Sequence, residues 1–223
     1  TLLDEIKEVC EKEKIPFFLS GELVYRANKG GELKEKFSDA SVLIFAEHAE
    51  MFSQKLLSGK KQRALESLKS NPSFPGFYLR YCDTGTTLIS TREERFSYEH
   101  NCIGVNVELI CGLGGGGFKK KLLNRFKKAW TENFCPDYIK EKMTEADTGK
   151  RQLGDSMIRA FLKVFGTKSM MNRLFDAWVR QGSKTSERCM VTMTNSLQCT
   201  FKRGMFQSQT PVQVEGKEYP APA

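Results

Sequence analysis

Apolar residues recur at helical spacing from the start of the chain. Leu2, Leu3, Ile6, Val9 and Cys10 share one face of residues 2–14, and charged residues fill the rest. That period predicts an amphipathic helix. The run IPFFLSG follows, short, apolar and closed by Ser-Gly, and reads as a buried strand ending in a turn. ELVYRANKGG predicts a short helix stopped by Gly30 and Gly31. FSDASVLIFAEHAEMFSQKLL predicts a second strand, about residues 39–46, running into a helix.

Residues 59–75 are polar, basic and turn-rich, and predict a helix followed by a loop. FYLRYCDTGTTLIS sets two β-rich runs around Asp83-Thr84-Gly85, the pattern of a hairpin. IGVNVELIC is the clearest strand, with Val105, Val107 and Leu109 alternating against Asn106 and Glu108. Phe118, Leu122, Phe126, Trp130 and Phe134 then mark a helix. Met157, Ile158, Phe161, Phe165, Leu174, Phe175 and Trp178 give residues 151–180 one or two more. From Gln181 onward the pattern is loop-like with short extended pieces. Strands and helices mix up to about residue 115, and helices dominate afterwards. This predicts an α+β fold: a mixed-sheet core over 1–115 and a mainly helical part over 116–223, packed as one globular unit.

Composition narrows the class. A chain of 223 residues, 39 % apolar and 28 % charged, can bury one core and is ordinary for a globular protein. No apolar run approaches the roughly 18–20 residues that span a bilayer. TLLDEIKEVCEKEK is too charged for a signal peptide, so a cytoplasmic location is expected. The seven cysteines are scattered without a Cys-x-x-Cys pair, and only His48 and His100 could complete a zinc site. Reduced, mostly buried thiols are therefore expected. The net charge of +8 allows an anionic partner: nucleic acid, a phosphorylated metabolite, an anionic glycopolymer or the cytoplasmic face of a membrane. The aromatic-and-basic signature of a nucleic-acid module is missing, which makes nucleic acid the least favoured of these.

The glycine run invites a phosphate-loop reading, since Gly112, Gly114 and Gly117 fit G-x-G-x-x-G. A dinucleotide fingerprint needs a parallel strand after its helix, and here more helix follows. A phosphate loop of the other kind needs Gly-Lys-Ser/Thr, and Gly117 precedes Phe118-Lys119. A flexible linker is the simpler reading. Lys119, Lys120, Lys121, Arg125, Lys127 and Lys128 lie off the apolar stripe and form either a solvated face or an anion-facing one. His48 and His100 are expected to be structural or superficial. Glu108 differs in kind, sitting in an apolar strand beside Leu109 and Ile110, and Asp39 opens the strand SVLIF. Each could face water. Two strand-borne carboxylates could equally converge on one hard cation.

Taken together, these segments resemble the LicD family of nucleotidyltransferase-fold phosphotransferases. LLDEIKEVCEKEKIPFFLSGELVYRANKGG resembles the family's opening helix and Gly-Thr-Leu-Leu-Gly motif. FSDASVLIFAEHAEMF resembles its acidic strand and helix, and LRYCDTGTTLIS its Thr-Thr strand. IGVNVELICGL resembles the strand of the third carboxylate, and VEGKEYPAP the closing segment. The likeness runs through nearly the whole chain in order, with no motif intact.

The resemblance implies a nucleotidyltransferase-like mixed sheet with flanking helices. It implies transfer of a phosphorylated group, phosphocholine or a polyol phosphate, from a cytidine diphosphate donor of the CDP-choline type. The acceptor would be a glycan or lipid-linked glycan destined for the cell surface, with peripheral contact at the inner face of the membrane. It assigns Mg²⁺ (or Mn²⁺) to Asp39 and Glu108, which would also be the catalytic pair. It assigns substrate contacts to Ser20, Gly21, Ser41, Arg80, Thr86 and Thr87. Departures matter: Ser41 stands where a second Asp is expected, Glu22 replaces the Thr and Tyr25 the second Gly, and the Trp of the acidic motif is missing. A hydroxyl brings a metal no charge, so Glu22 or Glu47 would have to compensate, or substrate phosphates would do more of the coordination. The alternative is a catalytically degenerate relative that binds or regulates.

Overall fold

A computed structural model describes residues 1–21, 23–25, 40–71, 74, 77–87, 100–112, 173, 187–191 and 200–223. The helices predicted within 118–134 and 151–180, and the glycines after Gly112, lie outside the described residues. What is described is α+β, built on one mixed sheet.

The first helix, α1 (Leu2–Lys12), starts where the sequence says it should. Thr1 Oγ1 accepts from the Asp4 backbone N–H, and the Asp4 carboxylate reaches back to the N-terminal amine at 2.9 Å, closing a capping box. Two acids in the first turn suit the positive end of the helix dipole. The helix buries Ile6 and Cys10. Strand β1 (Phe17–Ser20) follows, then β2 (Ala40–Phe45), a 3-10 turn (Ala46–His48) and helix α2 (Ala49–Leu57), which buries Phe52 and Leu56. Strands β3 (Arg63–Glu66), β4 (Leu79–Asp83) and β5 (Ile103–Gly112) complete the core of the sheet. Strands β6 (Arg188–Val191) and β7 (Thr200–Lys202) extend it, a 3-10 turn (Arg203–Phe206) follows, and β8 (Gln209–Val214) with β9 (Lys217–Pro222) makes a separate hairpin.

The strand order is β1-β2-β5-β4-β3. Strands β2 and β5 are parallel, and every other pairing is antiparallel. At ten residues, β5 is long enough to seat β4 along Ile103–Val107 and β6 along Ile110–Gly112 on one edge, with β2 on the other. Alternation then separates two faces. Phe17, Leu19, Val42, Ile44, Val105, Val107 and Leu109 form the main core with α1, α2 and the inner side of the β8–β9 hairpin. Phe18, Leu43, Phe45 and Ile110 form a smaller layer with Cys189, Val191 and Phe206 on the opposite face. There the Phe206 ring meets Phe18 edge-on at 5.5 Å between centroids.

Two sequence expectations are corrected. Residues 63–66 form a strand, not a helix, because β4 offers an open edge and pairing outweighs the helical preference of Arg-Ala-Leu-Glu. The turn at Asp83-Thr84-Gly85 exists, but β4 is paired along both edges, with β3 and β5, and residues 88–90 of the expected second run lie outside the described residues. The β8–β9 hairpin organises what reads as short extended pieces. Its turn residues Glu215 and Gly216 both have positive φ (50° and 73°), as a two-residue hairpin turn demands. Among the described residues no helix is long and apolar enough to cross a membrane.

Polar contacts fasten α1 over the main core. Asp4 accepts from Lys217 Nζ at 2.6 Å and from Tyr219 Oη at 2.8 Å, which docks the hairpin on the helix. Glu5 accepts from Arg63 Nη2 and Lys60 Nζ, each at 2.8 Å, and from the buried Tyr81 hydroxyl. Burial alone would raise the Glu5 pKa, but bonds from Arg63, Lys60 and Tyr81 outweigh it and hold the carboxyl at about 2. A depressed carboxylate stabilises the fold fully above its ordinary value of 4.5, and that contribution is lost as pH falls through about 2. Glu5→Gln is therefore expected to lower stability by about 1–3 kcal/mol at neutral pH. Denaturation curves taken at a series of pH values should show the gap closing towards pH 2. A gap that stays constant with pH would contradict this assignment.

Candidate functional site

The second face of the sheet changes character along its strands. Ser20 on β1 pairs in register with Ser41 on β2, Ser41 with Asn106 on β5, Asn106 with Arg80 on β4, and Arg80 with Glu66 on β3. One row crosses five strands and is polar at every position. Neighbouring strands lie about 5 Å apart, so each side chain in the row adjoins the next. Two residues along β5 from Asn106, Glu108 lies on the same face, paired with Leu43. It stands where the polar row meets the Phe18, Leu43 and Ile110 layer. Only 6 % of it is exposed, so it is not a solvated surface charge.

The two ends of the row differ. At the β4–β3 end, Arg80 and Glu66 are 4 % and 2 % exposed. Arg80 Nη1 stands 3.5 Å from Glu66 Oε2 and donates to the His100 carbonyl at 3.3 Å, while Nη2 donates to the Cys102 carbonyl. Glu66 Oε1 also accepts the His100 backbone N–H at 2.7 Å, with His100 Nδ1 at 3.1 Å. Gly104 leaves room for this guanidinium: a Cβ there would come within 3.0 Å of Arg80 Cζ and Nε and 3.1 Å of the Tyr81 carbonyl. The Arg80 guanidinium thus binds β3, β4 and the approach to β5 together. His100 has a structural role, as its isolation in the sequence implies.

The β1–β2–β5 end gathers oxygen donors: two hydroxyls from Ser20 and Ser41, the Asn106 amide and the Glu108 carboxylate. Gly21 turns the chain just beyond Ser20 with φ of 63°. Of the residues that the sequence singles out, Ser20 and Ser41 are neighbours with Gly21 just beyond, Arg80 lies in their row, and Glu108 is on the same face two residues along β5, two strands from Ser20. Thr86 and Thr87 are not with them. Thr86 Oγ1 donates to the Asp83 carbonyl at 2.7 Å and accepts the Ile103 N–H at 3.0 Å. Ile103 is three residues from Asn106, about 10 Å along the strand. Asp39 and Glu22 lie outside the described residues. Glu47 pairs with Arg203 Nη2 at 3.3 Å.

Sequence reasoning missed Asn106 and Glu66. Asn106 looked like the solvent side of an alternating strand, and a polar residue spaced two from Glu108 was the available signal. Where described, the cysteines are buried as expected: Cys10, Cys82, Cys102, Cys111 and Cys189. Burial pushes the Cys10 thiol up to about 12, which leaves it protonated and inert. A cleft of about 550 Å³ opens elsewhere, between α1, the start of β1 and the β8–β9 hairpin. Lys7, Lys14, Glu11 and Glu218 line it with balanced charge, and no residue of the polar row reaches it.

Among the described residues, no group of three or more His, Cys, Asp and Glu is placed to hold a metal ion. The donor set around Glu108 is nonetheless made of oxygens, the kind that a hard divalent cation takes. It contains one carboxylate. A scan against family models finds no match, and neither curated proteins nor solved structures return a match to this chain.

The closed end of the row gives two predictions. Arg80→Ala is expected to destabilise by about 3–5 kcal/mol, because Glu66 would remain buried without its counter-ion. Arg80→Met combined with Glu66→Leu should lose far less than the two single truncations added together; urea denaturation of the set measures this, and additive losses would refute the coupling. Gly104→Ala is expected to lose about 1–3 kcal/mol through overpacking, and less when Arg80 is already methionine. An equal loss in both backgrounds would show that the guanidinium is not what Gly104 accommodates.

Proposed function

We propose that this chain is a divergent LicD-like phosphotransferase on a nucleotidyltransferase-like core. It would move phosphocholine or a polyol phosphate from a cytidine diphosphate donor to a glycan hydroxyl, with a divalent cation. The observation that carries the reading is the convergence of three distant segments. The Ser20-Gly21 turn, Ser41 and Glu108 come from β1, β2 and β5, three successive strands of the sheet, and Ser20, Ser41 and Glu108 share one face. Such a reaction needs a turn that admits phosphates, and next to it a carboxylate on a rigid element.

Each residue has a role that follows from its place. Gly21 carries no side chain to obstruct a diphosphate, and Ser20 and Ser41 offer hydroxyls that donate to phosphate oxygens. Glu108, with Asp39, would hold Mg²⁺ or Mn²⁺, which when bound neutralises phosphate charge. The acceptor oxygen forms a bond to phosphorus as the bond to the nucleoside monophosphate breaks. The hydroxyl proton passes to a carboxylate, and Glu108 is the described candidate. The +8 net charge suits an anionic donor and a glycan polymer or membrane face.

A second reading has its own support. Ser41 occupies a position where a carboxylate is expected, and Arg80 is engaged with Glu66 and two carbonyls. Both fit a catalytically degenerate relative that binds the nucleotide without transfer. Calorimetry with CDP-choline, with and without Mn²⁺, separates the two. The transferase is expected to bind the nucleotide at least tenfold more tightly with Mn²⁺, and Glu108→Gln should abolish that gain. Binding indifferent to Mn²⁺ would favour the relative, and no binding at all would sink both.

A further inference from the structure

The β8–β9 hairpin lies against the fold without being hydrogen-bonded into its sheet. It is a separate two-stranded sheet, and among the described residues no backbone hydrogen bond joins it to another element. Strand β9 nevertheless packs beside β1, an end strand of the main sheet. The prolines account for the missing ladder. Val214 and Lys217 close the two-residue turn, and pair types alternate from there, so Pro211–Pro220 and Gln209–Pro222 are non-hydrogen-bonded pairs. A backbone N–H at such a position points away from the partner strand, where it could join another sheet. Proline has none, so β9 keeps one outward donor, at Glu218.

What holds the hairpin is side-chain packing and a few polar ties. Val212, Val214, Tyr219 and Ala221 are buried in the main core. The ties run to the first two turns of α1: Lys217 Nζ and Tyr219 Oη donate to Asp4, and Lys7 Nζ donates to the Glu218 carbonyl at 2.8 Å. Just before the hairpin, Phe206 is buried against Phe18, Phe45 and Phe201 on the other face of the sheet. Gln207 and Ser208, between that anchor and β8, are exposed. The cleft of about 550 Å³ follows the seam, with Cys10, Ile15 and Phe17 on one side and Pro211, Tyr219 and Pro220 on the other.

We propose that the β8–β9 hairpin is a strap that opens and closes as one unit about Gln207-Ser208, with Asp4 as its latch. Phe206 stays in place while the strap moves. Closed, the strap covers the edge of β1. Open, it widens the cleft and leaves that edge accessible to another extended strand. Pro220 and Pro222 keep the movement reversible by preventing β9 from fusing with the sheet it covers.

Amide hydrogen exchange on the intact chain, with N-ethylmaleimide labelling of thiols read by mass spectrometry, tests this. The amides of Val212, Val214, Tyr219 and Ala221 are expected to exchange together, about a hundredfold or more faster than those of Val42, Ile44, Val107 and Leu109. Tyr219→Phe removes one bond to the latch and keeps the ring, and should speed hairpin exchange and Cys10 labelling about tenfold. Ile110→Val loosens the far side of the sheet, so it should speed the β2 and β5 amides and Cys111 labelling several-fold and leave the hairpin amides and Cys10 at wild-type rates. Hairpin amides that exchange at the β2 and β5 rates, and that speed up equally with Ile110→Val, would show that the hairpin opens only when the whole fold does. Hairpin exchange unaltered by Tyr219→Phe would remove Asp4 as the latch. Cys10 labelling that follows Cys111 in every variant would mean that the moving strap does not uncover the cleft.

Discussion

The parallel pairing of β2 with β5 is the constraint on which the rest depends. Its register, Ala40 with Val105 through Phe45 with Ile110, fixes the facing of both strands at once. Val42, Ile44, Val107 and Leu109 go to the main core, while Ser41, Asn106 and Glu108 go to the other side. A slip of one residue in β5 would drive Glu108 beneath α1 and α2 and lift Val107 into the polar row. Burying that carboxylate in an apolar layer would cost several kcal/mol. The hydrophobic alternation of both strands therefore specifies the site as a by-product of specifying the core.

A polar row through a buried sheet face is costly unless its members find partners. Here the cost is met differently at each end. Arg80 and Glu66 pair with each other, and His100 and Cys102 add an imidazole, a backbone N–H and two carbonyls to the pair. That set clamps β3 and β4 to the start of β5, and so holds Asn106 and Glu108 against shear. Across the sheet, the Glu5 cluster does related work by tying α1 to Arg63 and Tyr81. Strand β3 contributes to both, with Arg63 on one face and Glu66 on the other, so this short strand is held from two sides.

Much of this was legible in the sequence where alternation or helical period was strong. The first helix, β1, β2, its following helix and β5 stand close to where the pattern of apolar residues puts them. That Ser20, Ser41 and Glu108 share one sheet face follows from strand register, which the spacing within any one segment does not reveal. What was not legible depends on partners remote in sequence. Arg-Ala-Leu-Glu prefers helix locally and becomes strand because β4 needs an edge partner. Arg80 reads as a phosphate contact until Glu66 and Gly104, themselves unremarkable as letters, are seen around it. The β8–β9 hairpin was not read, although Val212 and Val214 before Glu215-Gly216 and Tyr219 after it carry an alternating pattern.

Glu66 and Glu108 are both buried carboxylates on one face, and their described surroundings differ. Glu66 has a guanidinium, a backbone N–H and an imidazole arranged around it, and its charge serves the fold. Glu108 has Leu43 beside it on β2, Ile110 and Asn106 on either side along β5, and Ser41 as a diagonal neighbour. The apolar flank lowers the local dielectric and strengthens any attraction between this carboxylate and a cation, while the hydroxyls and amide supply the further oxygens that such an ion requires. The proposed cation-dependent function draws on this boundary carboxylate, carried by a strand that the core holds in register.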